Sequence, residues 1–427
     1  MSRPTPGAPA AGVSSGMPSG ASSGTPSGVS SSTPSGVDGW PEWRRIAIGG
    51  GGGMFVGMGL GRFSYTAMVP ALISSGELTA LEAGRVGALN LVGFVCGAVI
   101  SVPLRKQYGE FRALAAAIVI SVLALVASAA PLGFVWLGLC RGVIGITGGI
   151  IMVLSLTLIA ASAPAARRPT AASFVFVGVG GAILSTGILV PWLLRQGLAT
   201  AWLGLAACGF AGACLAIWGW RAASAHQAAP VNTTPSAVDT VGTASPWNTP
   251  LVLLLSAHVC FSMAIVPHTL YWVDYIARGL GHGIAEGGFH WFLVGVASIL
   301  GPIVAARLGQ MLGTAWALPI SFFALGIGIA APILSSVAIV LLASSLLFGA
   351  QPGLSTLMAA RTRDLADADH MPRLMRAMIL CSAVGAVFAG FVLPQIYDAT
   401  QSHVLVFALG GASMILGAIL VAPWGSK

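Results

Sequence analysis

Long apolar runs separated by short polar breaks fill most of the chain from about residue 46 onward. Each run is long enough to cross a bilayer as a helix, which takes about 20 residues at about 1.5 Å per residue. Twelve runs can be counted, at about residues 46–74, 83–104, 112–131, 134–160, 170–193, 200–221, 249–279, 285–306, 313–334, 336–359, 374–397 and 402–423. The pattern predicts an all-α membrane protein with twelve transmembrane helices.

Two stretches lack apolar runs and divide the chain. Residues 1–44 contain three near-identical octads of Ser, Gly, Pro and Thr or Met, which predict a disordered cytoplasmic tail. Residues 222–248 are polar, with Pro and Thr, and predict a cytoplasmic linker. The linker separates an N-terminal six-helix bundle, residues 45–221, from a C-terminal six-helix bundle, residues 249–423.

The two bundles share spaced sequence matches. Leu91–Gly93 recurs as Leu293–Gly295, 202 residues later, and each copy is followed twelve residues on by an arginine. Gly187 recurs as Gly390, 203 residues later, and each of these glycines has a proline four residues after it. These matches predict a duplicated unit, and therefore two pseudo-symmetric bundles.

Composition and charge place the chain in a membrane. It is 56% hydrophobic and 7% charged, with a mean hydropathy of +0.89, whereas a soluble domain is about 25% charged. When the loops are assigned alternately to the two sides, fifteen Lys and Arg fall on one side and three, Arg85, Arg195 and Arg278, on the other. The positive-inside rule then predicts a multi-pass inner-membrane protein with both termini in the cytoplasm, and no nucleic-acid partner. Only Arg62 and Arg141 remain within the membrane.

Several kinds of chemistry have no sequence support. All six cysteines lie in apolar runs without a C-x-x-C pair, and no His pair has metal-ligand spacing. Paired carboxylates or a Ser/His constellation, which an intramembrane enzyme needs, are not found in the runs. We therefore expect no cofactor, no metal and no enzymatic activity. The tail and linker also contain too few apolar residues to fold as the module of a sensor, which stays the alternative of another class.

The first run contains the first candidate functional residue. Five consecutive glycines and three further ones precede Arg62. They lack the strand, the spacing and the Gly-Lys-Ser/Thr of a phosphate-binding loop, so close helix packing is the preferred interpretation. A cation near the middle of a membrane helix is costly unless it faces protein or water, and Arg62 is therefore predicted to face a cavity.

Three polar side chains are predicted to share one depth. Counting about 1.5 Å per residue from each membrane boundary brings Arg62, Asn90 and Arg141 to one level, between the midplane and the periplasmic side. With Tyr65, three residues after Arg62, they form the predicted substrate-binding wall of the first half. In the alternative interpretation, Arg141 is structural and bonds backbone carbonyls, while Arg62 extends to the membrane surface.

The seventh run supplies candidates for the opposite wall. His268, Tyr271 or Trp272, and Tyr275 follow helical spacing and share a face. We align His268 with Arg62 as its symmetry counterpart and predict that His268, Tyr271 and Trp272 bind substrate. The alternative is that these aromatic side chains belong to the interfacial belt of a membrane protein.

Proton coupling needs an ionisable group that can change charge in the membrane. No Asp or Glu lies clearly at a membrane centre, so the available titrating groups are His268, His290 and His258, with Asp274 a more peripheral fourth. A membrane histidine is, as an alternative, a hydrogen-bonded packing residue. Asp274 and Arg278 have the spacing of a helix ion pair, and we expect that pair at the membrane surface.

The motifs resemble those of one transporter family. The fourth run, Leu137 to Gly145 with Arg141 four residues before a glycine, is similar to the fourth-helix motif of the major facilitator superfamily. Gly57 to Thr66, Ala83 to Gly93, and Gly178 to Pro191 resemble its YbfB/YjiJ branch. The resemblance implies the major facilitator fold and a carrier of small molecules in the inner membrane.

These inferences combine into one functional hypothesis. We expect a monomeric secondary transporter that works by alternating access, with Arg62 supplying positive charge to a small organic anion. The alternative within transport is an exporter of amphipathic metabolites or drugs, in which Arg62 only shapes the pocket. The arrangement of the halves, with a site between them near the midplane, suits either activity.

Overall fold

The computed structural model describes residues 42–164, 167–224, 248–366 and 370–423, and the described part is almost entirely helical. Nine helices, named here by their order in the chain, are single segments: α2 (Ala80–Tyr108), α3 (Glu110–Ala127), α4 (Gly133–Ser162), α5 (Arg168–Leu194), α6 (Leu198–Ser224), α8 (Gly283–Leu312), α9 (Thr314–Leu334), α11 (Met371–Thr400) and α12 (His403–Val421). Three others consist of consecutive parts. These are α1 (Glu42–Met54, π-helical Phe55–Phe63, Ser64–Ser74), α7 (Thr249–Ala264, Val266–Asp274, π-helical Tyr275–Gly279) and α10 (Ala338–Gly349, Gln351–Leu365).

Each predicted apolar run corresponds to one of these helices, so the predicted fold class is confirmed. Eleven helices in the described residues are long and apolar enough to cross a membrane, and the glycine-rich α1 is not among them. Helix α1 begins at Glu42, so the last residues of the predicted tail, 1–44, are helical. The rest of that tail lies outside the described residues, as do residues 225–247 of the predicted linker.

The glycines of α1 lie in close contacts with the neighbouring helices. Helix α1 packs against α4, α5 and α6. A Cβ atom at Gly49 would lie 2.9 Å from the Cα of Gly219 in α6, and one at Gly51 would lie 2.9 Å from the carbonyl oxygen of Phe174 in α5. Backbone atoms cannot move aside as a flexible side chain can. The interpretation of this run as a packing surface, and not a phosphate-binding loop, is confirmed.

Helices α2 and α4 interlock through glycines and backbone carbonyls. A Cβ at Gly93 in α2 would overlap the carbonyl of Gly142 in α4, and a Cβ at Gly145 in α4 would overlap the carbonyl of Asn90 in α2. The glycine four residues after Arg141 therefore allows the α2 backbone to approach. This contact brings Asn90 beside Arg141.

The two halves of the molecule, residues 42–224 and 248–423, make their extensive contacts through α5 with α8, α2 with α11, and α1 with α7 and α8. Two of these contacts each pair a glycine of one half with a proline of the other. Gly84 of α2 faces Pro394 of α11, and Gly288 of α8 faces Pro191 of α5. These glycine and proline positions recur about 203 residues apart, so the predicted duplication extends to the interface between the halves. Both contacts lie near the helix ends that were predicted to be periplasmic.

Candidate functional site

A cavity lies between the two halves of the molecule. It is narrow, with an interior volume of about 10 Å³, or about 300 Å³ when the open space at its mouth is included. The first half contributes residues from α1, α2 and α4, namely Arg62, Tyr65, Gly87, Asn90, Leu91 and Arg141. The second half contributes Val266, Thr269 and Leu270 of α7. The structure thus brings together the four first-half residues that the sequence predicted, although three different helices carry them.

The Arg141 guanidinium is fully buried and ties α4 to α1. Its Nη2 donates to the carbonyl of Gly61, and lies 3.4 Å from the carbonyl oxygen of Arg62. Both carbonyls belong to the π-helical segment Phe55–Phe63, where backbone hydrogen bonding departs from the α-helical pattern. The Nε and Nη1 atoms of Arg141 are buried and have no hydrogen-bond partner.

Two neighbours hold Arg141 in place. Its guanidinium carbon lies 4.9 Å from the centre of the Tyr65 ring, and Asn90 Nδ2 donates to the Arg141 carbonyl at 2.9 Å. The Tyr65 hydroxyl donates to the carbonyl oxygen of Ala83 in α2 at 2.8 Å. A cation over an aromatic face is stabilised by the negative charge density of the ring, most strongly when both are desolvated. The orientation of Arg141 is therefore fixed from both α1 and α2.

The other arginine, Arg62, lines the cavity and does not extend to the surface. Its guanidinium carbon lies 5.5 Å from the centre of the Phe63 ring, and its Nε is buried without a hydrogen-bond partner. For Arg141, both interpretations made from the sequence describe part of the geometry, because one nitrogen bonds backbone carbonyls while two others keep free donors. The cavity is consequently positive.

Contacts from α7 close the cavity on the side of the second half. The Thr66 hydroxyl donates to the carbonyl of Thr269, and the Thr269 hydroxyl donates to the carbonyl of Ile265 at 2.7 Å. Leu270 reaches the position that a side chain at Gly87 would occupy. Nearby, the rings of Phe63 in α1 and Trp291 in α8 lie 6.2 Å apart.

The predicted placement of His268 and Trp272 in the cavity is wrong. His268 is fully buried inside the second half, where its Nε2 is 2.9 Å from Ser344 Oγ and its ring stacks on Trp272 at 4.4 Å. Trp272 donates to Ser345 Oγ at 3.1 Å. These side chains do share a helix face with Tyr275, and all three rings contact Phe407 of α12. That face packs against α10 and α12. The cavity is lined by the other face of α7, which carries Val266, Thr269 and Leu270.

The two halves also align differently from the pairing made in the sequence analysis. Thr66 contacts Thr269, which is 203 residues later, the same spacing as between Gly187 and Gly390. This offset pairs Arg62 with Ile265 and Tyr65 with His268, whereas the sequence analysis paired Arg62 with His268. At this offset the residue paired with Arg62 is apolar.

Tyr271 lies at the contact between the halves. It is buried, its ring stacks on Tyr397 of α11 at 5.1 Å, and its hydroxyl would lie 2.9 Å from a Cβ at Gly84 in α2. The hydroxyl has no hydrogen-bond partner. Tyr271 therefore touches the first half next to the cavity but does not line it.

The remaining coupling candidates lie in the second half. His290 is buried; its Nδ1 is 2.9 Å from Ser345 Oγ and its Nε2 is 3.7 Å from Glu286. The predicted ion pair between Asp274 and Arg278 is present, with Asp274 fully buried and Arg278 partly exposed. Asp274 accepts hydrogen bonds from Arg278 Nε at 2.5 Å and Nη2 at 3.0 Å.

The sequence analysis missed the third member of this cluster. His403 Nε2 lies 2.9 Å from Asp274 Oδ2, and the His403 ring packs against Tyr397 at 4.6 Å. His403 opens α12, 129 positions after Asp274. No local spacing connects the two residues, so only the arrangement of α7 and α12 could have identified the pair. In the described part of the chain, no cluster of three His, Cys, Asp or Glu could hold a metal.

Comparison with known proteins adds a family and a fold. The family described as "Uncharacterised MFS-type transporter YbfB" matches residues 54–422. Among curated proteins, none matches the chain. The crystal structure of a D-xylose-proton symporter is 18% identical and covers 90% of this chain and 97% of its own, with a TM-score of 0.69.

Two further structures have the same fold. A partially occluded inward-open conformation of the xylose transporter XylE from E. coli is 16% identical over 90% of this chain and 100% of its own, with a TM-score of 0.68. The peptide transporter POT in complex with sulfate is 17% identical over 91% of this chain and 96% of its own, with a TM-score of 0.67.

Proposed function

The chain belongs to the YbfB-type transporter family of the major facilitator superfamily, and from this premise we propose that it is a secondary transporter of a small organic anion. Transport proceeds by alternating access, in which the two halves rock around a site between them. The family and the fold are those of transporters, which are not enzymes. The nature of the substrate is inferred from the cavity.

The observation that supports an anionic substrate is the pair of guanidiniums on the cavity wall. Arg62 and Arg141 keep three buried donors without partners, at the Nε of each and at Nη1 of Arg141. Among the described residues that line the cavity, none is an Asp or Glu that would neutralise them. Intramembrane charges mark substrate and ion pathways, and hydrogen bonds from a guanidinium to an anion are among the strongest that proteins form.

The contacts between the halves indicate which side of the membrane the structure is closed toward. They lie near the helix ends that carry Arg195 and Arg278, the poorly charged side of the chain. We therefore propose that the structure is closed toward the periplasm, with both termini cytoplasmic and the protein in the inner membrane.

For the coupling ion, we propose a proton carried by the Asp274 and His403 pair. Asp274 is a buried carboxylate on α7, one helical turn beyond Leu270, which lines the cavity. Movement of α7 during opening changes the environment of this carboxylate, and hence its affinity for a proton. His268 has no carboxylate among its contacts and serves packing in this proposal.

Uptake by the purified full-length protein in proteoliposomes tests the function, with a panel of labelled carboxylates as substrates. The Arg62→Ala variant should reduce carboxylate uptake at least about tenfold, because a desolvated anion loses a charged partner. Arg85→Ala removes an exposed arginine from α2 and is the matched control. Carboxylate uptake that is equal in the parent and Arg62→Ala would remove the anion proposal.

The same assay separates the alternatives. Transport of neutral or amphipathic compounds that survives Arg62→Ala would favour the exporter hypothesis, in which the arginine only shapes the pocket. A protein that binds ligands but accumulates none of them in any orientation would favour a sensor that does not transport.

A further inference from the structure

The groups that surround the two arginines restrict which anion fits. We propose that the substrate is a small monocarboxylate with a compact apolar body and no cationic group. This inference rests on the proposed function, because it places the carboxylate at Arg62 and Arg141. Beyond the proposed function, it states the chemistry of the part of the substrate that lies outside the carboxylate.

The neutral polar side chains of the first-half wall are already bonded to the backbone. The Tyr65 hydroxyl donates to Ala83, and Asn90 Nδ2 donates one of its two N–H groups to the Arg141 carbonyl. The buried donor atoms that have no partner at all in this wall belong to the guanidiniums. A sugar or another neutral polyol needs several neutral partners at once, since each unpaired buried hydroxyl costs about 1–3 kcal/mol. The wall supplies strong donors for one anionic group instead.

The second-half wall is a hydrocarbon surface. Val266 and Leu270 contribute aliphatic side chains, and the hydroxyl of Thr269 donates to Ile265 of its own helix. The carbonyl of Thr269 accepts the hydroxyl of Thr66. Helix α7 therefore offers no free polar group at this level, and the part of the ligand that faces it is apolar. Leu91 adds a further aliphatic side chain from the first half.

A positive group on the ligand has no partner here. No carboxylate is present among the described residues that line the cavity, and two guanidiniums would repel an ammonium. Amino acids and peptides are therefore excluded as substrates. A second carboxylate would have to turn toward α7 and lose its hydration against Val266 and Leu270, which is costly for an ion.

Four probes with related bodies test this inference. We use 4-methylpentanoate, L-leucine, which adds an ammonium, 4-methylpentanamide, which removes the charge, and succinate, which adds a second carboxylate. Dissociation constants are measured by titration calorimetry on the full-length protein in detergent. We expect 4-methylpentanoate to bind at least tenfold more tightly than each of the others, a difference of about 1.4 kcal/mol.

A substitution on α7 tests the apolar wall separately. Val266→Thr keeps the side-chain size and adds a hydroxyl, and it should weaken 4-methylpentanoate several-fold while leaving acetate unchanged. Val252→Thr makes the same change at an exposed position of α7 and is the control. A pocket that encloses a methyl or methylene group discriminates by about 10–200-fold, so the effect is measurable.

The outcomes distinguish this inference from the proposed function. If Arg62→Ala abolishes carboxylate binding but leucine or succinate binds as tightly as 4-methylpentanoate, the inference is overturned and the anion transporter stands. If 4-methylpentanoate fails to bind while other carboxylates do, the inference is likewise overturned. If Arg62→Ala leaves binding of every carboxylate unchanged, the proposed function fails and the inference fails with it.

Discussion

Arg141 lies over the ring of Tyr65, with its guanidinium carbon 4.9 Å from the ring centre. In the second half, the residues 203 positions later are Ser344 and His268, and these two are also in contact, at 2.9 Å. The duplication has therefore kept the pair of positions and changed its chemistry. A charged pair faces the cavity in the first half, whereas a neutral pair lies inside the second half. Under the proposed function, the anionic part of the ligand therefore binds to the first half.

The contact between Arg141 and Tyr65 should appear as a coupling energy. Substituting Arg141→Met and Tyr65→Leu separately and together should give non-additive losses in the free energy of unfolding, with a coupling of about 1–2 kcal/mol, as expected for a desolvated cation–π pair. Unfolding is followed by tryptophan fluorescence in detergent. Tyr65→Phe keeps the ring and should show little coupling to Arg141→Met. Additive losses for the Leu variant would show that the ring does not stabilise the guanidinium.

Two glycines of α4 should respond oppositely to the same substitution. A Cβ at Gly145 would overlap the carbonyl of Asn90, whereas a Cβ at Gly142 would meet nothing within 4 Å. Gly145→Ala should therefore separate α2 from α4, lower the unfolding free energy by about 1–3 kcal/mol and weaken substrate binding. Gly142→Ala should be neutral or stabilise by up to about 1 kcal/mol through helix propensity. Thermal unfolding of both variants decides the matter, and equal effects would argue against a glycine-mediated contact between these helices.

What the sequence could predict was the content of each helix and its depth in the membrane. The apolar runs fix the helices, and a constant rise per residue places Arg62, Asn90 and Arg141 at one level, where the structure has them on one cavity. Rotation about a helix axis is a different quantity. It changes by about 100° for each residue, so the face of α7 that carries His268 and Trp272 lies opposite the face with Val266, Thr269 and Leu270 that lines the cavity.

Contacts between residues far apart in the chain were the other feature that could not be predicted from the sequence. The buried cluster of Asp274, Arg278 and His403 joins the end of α7 to the start of α12. Only Asp274 and Arg278 are close enough in sequence to suggest a pair, and the helix spacing says nothing about burial. The burial of that carboxylate comes from the packing of α11 and α12 against α7.

Asp274 and His268 should differ in their effect on proton-driven transport. Asp274→Asn keeps the size of the side chain but removes its charge, so substrate accumulation driven by an imposed pH gradient should be lost, while exchange of labelled for unlabelled substrate continues. His268→Phe replaces a ring within an aromatic cluster and should keep gradient-driven accumulation, with some loss of stability from the missing bond to Ser344. Proteoliposome flux measures both. Gradient-driven accumulation that survives Asp274→Asn and disappears in His268→Phe would move the coupling site to the histidine.

Disulfides across the two glycine and proline contacts should lock the transporter. A Cβ at Gly84 would lie 2.5 Å from the Cβ of Pro394. Two cysteines at these positions can form a disulfide once the helices separate enough to bring the Cβ atoms to the roughly 3.5–4.5 Å that the bond requires. The background must lack the six native cysteines, Cys96, Cys140, Cys208, Cys214, Cys260 and Cys381.

In that background, oxidation of the double variant Gly84→Cys/Pro394→Cys should stop transport, and dithiothreitol should restore it. Substrate binding to the detergent-solubilised protein should persist while the disulfide is intact, because the cavity stays open on the other side. The mixed variant Gly84→Cys/Pro191→Cys joins residues from two different contacts and should not cross-link. Alternating access requires these contacts to separate in every cycle. Full transport by a quantitatively cross-linked protein would therefore mean that the halves move about some other interface.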